Sequence, residues 1–518
     1  IAMNRLYPDL LLRGCRVLTM NPARPFVESV AVKGNRIVWI GTDAEAAQFA
    51  VGRARTLDCG GGTVLPGFHD AHCHLFAYAA SLRAVDCRPG TVSSISEVRD
   101  AISRRASETQ RGDWIRATGY SDFDLRERRH PTRLDLDAAA PDHPVRLDHR
   151  SGHACVLNSR ALDAIGLTSG TPEPPEGTID RFLESGEPNG VLLEMHEHLD
   201  GLIPRPSDSE LRDAVRHASA VLASKGITTI QDATAGNSID RWNAFRSMKS
   251  DGSLHQRATF MPGFTNVGSF ARAGLHYGQG GHGLTVGAAK VMVTASAGRL
   301  RPDAQALMGM VLDAHRQGFQ VAIHAVEAEA VAATAAAIAA ANQVAGSVNL
   351  RHRIEHCSEM PPDVFADVVA SGAVCVLQPG FIFESGERYI AQTEPVMLPW
   401  LYRGASLADA GVHVAFGSDA PVAAPDPLLG VYAAVTRLSD KGSEVGVGEA
   451  TTVGDALRFS TATPAYAARQ ETDLGVIAPG MLADMVLLDR NPLEVDPSDI
   501  AGIKPMGTIT DGRVVWQK

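Results

Sequence analysis

The chain has 518 residues and a formal net charge of −11. With 45% hydrophobic and 21% charged residues, it has the composition of a globular protein large enough for more than one domain. No basic surplus or stripe is visible, which argues against nucleic-acid binding, and no run of 18 or more apolar residues exists, so no transmembrane helix is predicted.

Taken from the start, Ile1-Ala2 reads as a remnant ahead of a native Met3, and Arg5 to Asn21 is too interrupted by Pro8, Arg13, Gly14 and Arg16 to be a signal peptide. Short β-rich runs follow at Asp9–Leu12, Cys15–Met20, Ser29–Lys33 and Arg36–Gly41. The far end repeats this texture at Met485–Leu488 and Gly507–Gln517, with an Asp511-Gly512 hairpin signal. Hairpins need partners, so both ends, residues 1–64 and 474–518, are expected to pair into one small β-sandwich.

Between them, residues 65–473 alternate apolar strands with amphipathic helices. The strand-like runs are Thr63–His72, Gly226–Asp232, Ala288–Thr294, Phe319–His324, Arg351–His356, Ala373–Leu377 and Val412–Ser418. Helix-like runs lie at Ser209–Lys225, Asp303–Gln317, Glu327–Ala341, Pro362–Ser371 and Leu401–Ala410. Alternation implies parallel strands with helical crossovers. The number of units predicts a closed (β/α)8 TIM barrel, an α/β fold. Residues 110–205, rich in Asp, Arg, Pro and Gly, break the rhythm and read as an insertion in the barrel, a usual place for a lid or substrate pocket. The seven cysteines, Cys15, Cys59, Cys73, Cys87, Cys155, Cys357 and Cys375, are odd in number and form no CxxC pair. That pattern suits a reducing, cytoplasmic setting better than a disulfide framework.

Barrel active sites lie at the C-terminal ends of the strands. There the first strand runs into His72-Cys73-His74, the next carry Lys290, His324 and His356, and Val412–Ser418 is followed by Asp419. Two histidines at i and i+2 of an extended segment project to one side, and imidazole and carboxylate are ligands for Zn²⁺ and similar ions. Singly, each position has a structural reading as well: a surface or core HxH pair, a satisfied rim histidine, a snorkelling lysine, a helix-capping aspartate. Their joint placement points to a metal centre.

The stretch Leu65-Pro66-Gly67-Phe68-His69-Asp70-Ala71-His72-Cys73-His74 resembles the first-strand signature of the amidohydrolase superfamily. His324, Ile354-Glu355-His356 and Gly417-Ser418-Asp419 resemble its signatures on strands five, six and eight. Ser151-Gly152-His153 with Asn158-Ser159-Arg160-Ala161-Leu162 looks like the insertion of the amidohydrolase-3 (YtcJ-like) subgroup, which includes N-substituted formamide deformylases. The segment from Leu474-Gly475 to Ala483-Asp484 resembles the return into the small β-domain of such hydrolases.

The resemblance implies a divalent-metal enzyme that hydrolyses a non-peptide C–N bond in a linear amide, N-formyl amide or carbamate. His72 and His74 would bind one ion with Asp419. His324 and His356 would bind a second, with Lys290 bridging both as a carboxylated lysine. Metal-bound hydroxide would attack and Asp419 would shuttle the proton. Zn²⁺ is the default ion; Mn²⁺, Fe²⁺ or Co²⁺, and one ion instead of two, also fit. The segment His324-Ala325-Val326-Glu327 departs from the subgroup pattern. It resembles the HxxE of mononuclear deaminases, where the Glu shuttles a proton, and makes a mononuclear deaminase or ring-opening cyclic amidase using Glu327 the alternative function; the favoured reading is that Glu327 starts the next helix, where its charge suits the macrodipole. A non-catalytic metal-holding protein on the same fold is a third reading, disfavoured by the intact ligand set.

Substrate contacts are expected from Tyr120, Asp122, Gln378 and Arg388, in loops after strands. Phe381, Phe383 and Trp400 would add apolar walls. His153 either polarises a substrate carbonyl or makes a structural hydrogen bond. Arg353 could pair with Glu355 inside the barrel. The expected partner is a small-molecule substrate, with no nucleic acid and no membrane; a homodimer is the general prior for a soluble enzyme.

Overall fold

The computed structural model describes residues 7–49, 54–174, 177–195, 198–199, 201–295, 298–344 and 349–518. Ile1-Ala2, read above as a remnant, lies outside the described residues. The chain forms two compact units, Ile1–His74 with Ser219–Lys518, and Leu75–Ala218.

The first unit is a mixed α/β structure built on two parallel ladders. In one, Phe68–Cys73, Ile227–Asp232, Arg257–Phe260 and Leu284–Val286 pair in that order. In the other, Ala289–Met292, Val321–Ala325, Arg353–His356, Val374–Leu377 and Val414–Phe416 pair in chain order. Every residue of Phe68–Cys73 and Ile227–Asp232 is buried, as expected of parallel strands covered on both faces. Backbone hydrogen bonds cross both gaps between the ladders. The Lys290 amide donates to Pro262 O at 2.8 Å, and the Asp419 amide to His72 O at 2.7 Å.

Helices Ala304–Arg316, Ala328–Asn342 and Pro362–Ser371 follow the periodicity read from the sequence. Their starts have local causes. Asp303 caps the first through the Ala306 amide, and Pro362 pre-sets φ in the first turn of the third. The Leu401–Ala410 run is helical only at Gly404–Asp409. Three elements carry no clear periodic signal: the four-residue Arg257–Phe260, the three-residue Leu284–Val286, and helix Gly380–Gln392, which opens after Pro379 and contains Gly386.

Both chain ends meet in the same unit. A four-stranded sheet holds Leu10–Arg13, Ser29–Lys33, Arg36–Gly41 and Arg55–Asp58. In a six-stranded sheet, Thr63–Pro66 lies between Arg16–Leu18 and Met485–Leu488, and Pro505–Thr510 and Arg513–Gln517 extend it. Leu12, Val17, Val30, Val64, Ile477, Met485 and Ile509 form their common core. Asp511 and Gly512 turn the last hairpin with positive φ at both positions, as the Asp-Gly signal requires.

The second unit contains the whole 110–205 segment. Its sheet runs Thr178–Arg181, Pro188–Leu193, Ala154–Leu157, Val145–His149, Ile115–Tyr120 and Val85–Asp86. Val98, Ile102, Ala117, Leu136 and Leu147 fill its core. All seven cysteines are buried and free. Among the described residues no helix is long and apolar enough to cross a membrane.

Candidate metal centre

The strand ends of the first unit converge on one buried cluster. One ligand atom each from His72, His356 and Asp419 lies within 4.8 Å of the others. His74 Nε2 is 2.9 Å from Asp419 Oδ1, and His72 Nε2 is 3.4 Å from the same oxygen. The His324 ring centroid is 4.4 Å from that of His356. Lys290 is buried, and Asp419 and Glu355 are among the charges acting on its amine.

Each ligand is aimed by a second contact. His72 Nδ1–H donates to Glu355 Oε2 at 2.5 Å, which leaves the lone pair on Nε2. His356 Nδ1–H donates to Gln378 Oε1 at 2.9 Å. The Thr234 hydroxyl is 3.2 Å from His74 Nδ1. His356 and Asp419 are held at φ +69° and +58°, left-handed values that non-glycine residues adopt mainly where surrounding structure enforces them. At Gly417 a Cβ would lie 2.7 Å from the His72 backbone nitrogen, so only glycine lets the two segments approach.

The electrostatics follow from burial and from neighbours. Burial holds the His72 imidazole well below its ordinary range, with Lys290 adding to the effect, and burial also lowers His356. Burial opposes ionisation of Asp419, but the His74 hydrogen bond and the three nearby imidazoles outweigh it, so the group is held as carboxylate. Burial brings the Lys290 ammonium down to about 8, against the pull of Glu355 and Asp419.

A divalent ion fits this donor set. His72 Nε2 and Lys290 Nζ are buried atoms without a hydrogen-bond partner, a costly state in a closed interior unless another ligand satisfies them. Histidine nitrogens and a carboxylate are the ligands such ions take.

The other predicted residues lie as follows. Gln378 is buried directly after Val374–Leu377, with its amide oxygen on His356. Arg388 lies on helix Gly380–Gln392, not in a loop, with its guanidinium over the Tyr389 ring. Glu327 is the N-cap of helix Ala328–Asn342, and its carboxylate accepts from the Ala295 amide at 3.4 Å.

Three more belong to the second unit. Tyr120 ends strand Ile115–Tyr120, fully buried, with its hydroxyl 2.9 Å from His130 Nδ1. Asp122 accepts from His149 Nε2 at 3.1 Å, and that bond lowers its carboxyl to about 2. His153 is half exposed and pairs with Glu194 at 3.0 Å.

Sequence reasoning anticipated the Arg353–Glu355 pair, whose Nε–Oε1 distance is 2.7 Å. It assigned no role to Asp70, whose carboxylate takes the His72 and Ser418 amides at 3.1 and 2.9 Å. The available signal was an acidic residue two positions before His72, on the same face of a buried strand.

This is a mixed α/β hydrolase scaffold with a histidine–carboxylate centre at its strand ends. The chain belongs to the amidohydrolase family, in its amidohydrolase-3 subgroup: the family profile matches residues 55–516. It is accordingly a hydrolase of carbon–nitrogen bonds. It is 29% identical, over an alignment 542 positions long, to an N-substituted formamide deformylase of Arthrobacter pascens, covering 98% of each chain. It is 27% identical, over an alignment 544 positions long, to the protein LONG AFTER FAR-RED 3 of Arabidopsis thaliana, covering 98% of this chain and 91% of that one. Its fold matches the crystal structure of a metal-dependent hydrolase from Pyrococcus horikoshii with a TM-score of 0.76 at 22% identity, over 94% of this chain and 99% of that one.

Proposed function

We propose that the chain hydrolyses a non-peptide C–N bond in a linear amide, N-formyl amide or carbamate, with Asp419 as the proton shuttle. The observation that carries this reading is the placement of Asp419. Its carboxylate is held ionised within contact of both His72 and His74, at the end of a strand and in a strained backbone conformation. The deformylase activity named for the Arthrobacter relative supports the bond class.

In this reading eight parallel strands close into a (β/α)8 barrel, with Leu284–Val286 and Ala289–Met292 as two parts of one strand. The Lys290–Pro262 and Asp419–His72 backbone bonds across the gaps support closure. His72, His74 and Asp419 would hold one ion and His324 and His356 a second, with Lys290, carboxylated, as a further ligand. The bound ions, Zn²⁺ by default, supply Lewis-acid polarisation of the carbonyl and an activated water. Asp419 takes the proton released on attack and returns it to the departing amine. Glu355 and Gln378 keep His72 and His356 turned toward the centre. Of the expected substrate contacts, Arg388, on helix Gly380–Gln392 of the first unit, keeps that proposed role; Tyr120 and Gln378 serve His130 and His356, and Asp122 and His153 pair with His149 and Glu194 within the second unit.

The helix-cap position of Glu327, with its carboxylate on the Ala295 amide, favours the hydrolytic shuttle through Asp419 over a deaminase using Glu327. The test is a panel of N-substituted formamides, linear amides and carbamates against cyclic amidines, assayed with and without chelator. Chelator-sensitive release of an amine from a linear substrate is the expected result. Ammonia release from an amidine, lost in Glu327→Gln, would overturn it.

A further inference from the structure

Arg353 has the largest side chain among the fully buried residues of the described chain. Its guanidinium makes a fork with Glu355, Nε to Oε1 at 2.7 Å and Nη2 to Oε2 at 3.0 Å. The remaining donors go to the Ala71 carbonyl, one residue before His72, at 2.9 Å and to the Gln231 side-chain oxygen. Gln231 is fixed in turn, donating to His69 Nε2 and the Pro464 carbonyl. The guanidinium is therefore anchored on three sides, and it fixes the Glu355 carboxylate in plane and in register. Glu355 Oε2 then receives His72 Nδ1–H at 2.5 Å.

We infer that Arg353 and Glu355 are positioning residues that act through His72. They lock its Nδ1–H tautomer and ring plane, so that Nε2 faces Asp419 with its lone pair free. Held by Arg353 on both oxygens, the Glu355 carboxylate keeps one orientation toward His72 Nδ1. The pair thus acts on metal affinity through the orientation of His72.

The inference rests on the metal centre proposed above, and the test separates the two. Metal-free protein is titrated with Zn²⁺ alone in competition with a chromophoric chelator, for wild type, Glu355→Gln, His72→Ala and the double variant. Partners of this kind typically contribute 10–100-fold to metal affinity. Glu355→Gln is expected to weaken Zn²⁺ binding by about that factor, yet to change it less than about twofold in the His72→Ala background, because the effect passes through that ring. A purely structural role would lower the melting temperature of the metal-free protein and leave the affinity of the folded fraction unchanged. Should Glu355→Gln misfold around an unpaired Arg353, the variant Arg353→Met/Glu355→Gln removes both charges and is expected to show the same weakening. Unchanged affinity in the folded variants, or equal losses with and without His72, overturns the inference. Absence of Zn²⁺ binding in wild type overturns the metal reading and this inference with it.

Discussion

Asp70 holds Ser418 with both carboxylate oxygens: Oδ1 accepts its amide at 2.9 Å and Oδ2 its hydroxyl at 2.5 Å. Because Asp70 Oδ1 also takes the His72 amide, one buried carboxylate joins the segment bearing His72 to the segment bearing Asp419.

Asp70→Asn should therefore damage the centre without touching a ligand. The amide can accept once but turns an NH₂ toward a donor, leaving a buried conflict that costs about 1–3 kcal/mol. Metal content and kcat are expected to fall together, with a lower melting temperature. Wild-type metal content in Asp70→Asn would show that the two segments hold their positions without it.

Asp419→Asn tests the proton shuttle. The amide preserves shape and some coordination, so the fold and much of the metal are expected to remain. Turnover should drop by about 10²–10⁴-fold, the contribution typical of general acid–base catalysis. Near wild-type kcat in this variant would end the proposed role.

Metal content per chain discriminates one ion from two. Protein purified without chelators is expected to carry about two, and Lys290→Ala about one, since the bridging group supports the pair. One ion in both proteins would assign a mononuclear site and make Glu327 the next residue to test.

A pH effect on stability follows from two buried histidines that serve as acceptors. His69 Nε2 takes the Gln231 amide at 2.9 Å, and His352 Nδ1 takes the Val321 amide at 3.0 Å, so both are neutral in the fold. Burial, helped by Arg353 for His69 and by His315 for His352, brings each to about 3 from an ordinary 6.5. Between those values the unfolded chain binds more protons than the folded one. Stability is then complete above about 6.5 and is lost as pH falls toward 3, on the order of 3 kcal/mol per histidine by pH 4. Urea unfolding at pH 7.0, 5.5 and 4.5 should show this decline, reduced in His352→Gln. Parallel curves for both proteins would remove His352 as a source.

What the sequence made legible is what periodicity and strand ends carry. The runs ending at His324 and Asp419 are largely apolar, those ending at His72 and His356 stand out by their terminal histidines, and the chain folds all four as parallel strands with those residues at or just after their ends. The partnerships that aim the ligands were hidden. Glu355 and His72 are 283 positions apart, and Asp70 and Ser418 are 348 apart, so no local pattern links them before the sheet is formed. Arg353 and Glu355 were visible because they are two residues apart on one strand face. Arg388 was misplaced because Pro379 and Gly386 mask the helix that carries it.

Strand Thr63–Pro66 pairs with Met485–Leu488 and, after the single residue Gly67, continues as the strand that carries His72. During synthesis its antiparallel neighbour emerges from the ribosome only after the whole intervening chain from Gly67 to Asp484. A nascent chain thus exposes an unpaired apolar edge beside its first histidine ligand until that strand has emerged, a state open to wrong pairing and to chaperones. Loss of strand Met485–Leu488 would extend that vulnerable interval for the lifetime of the protein.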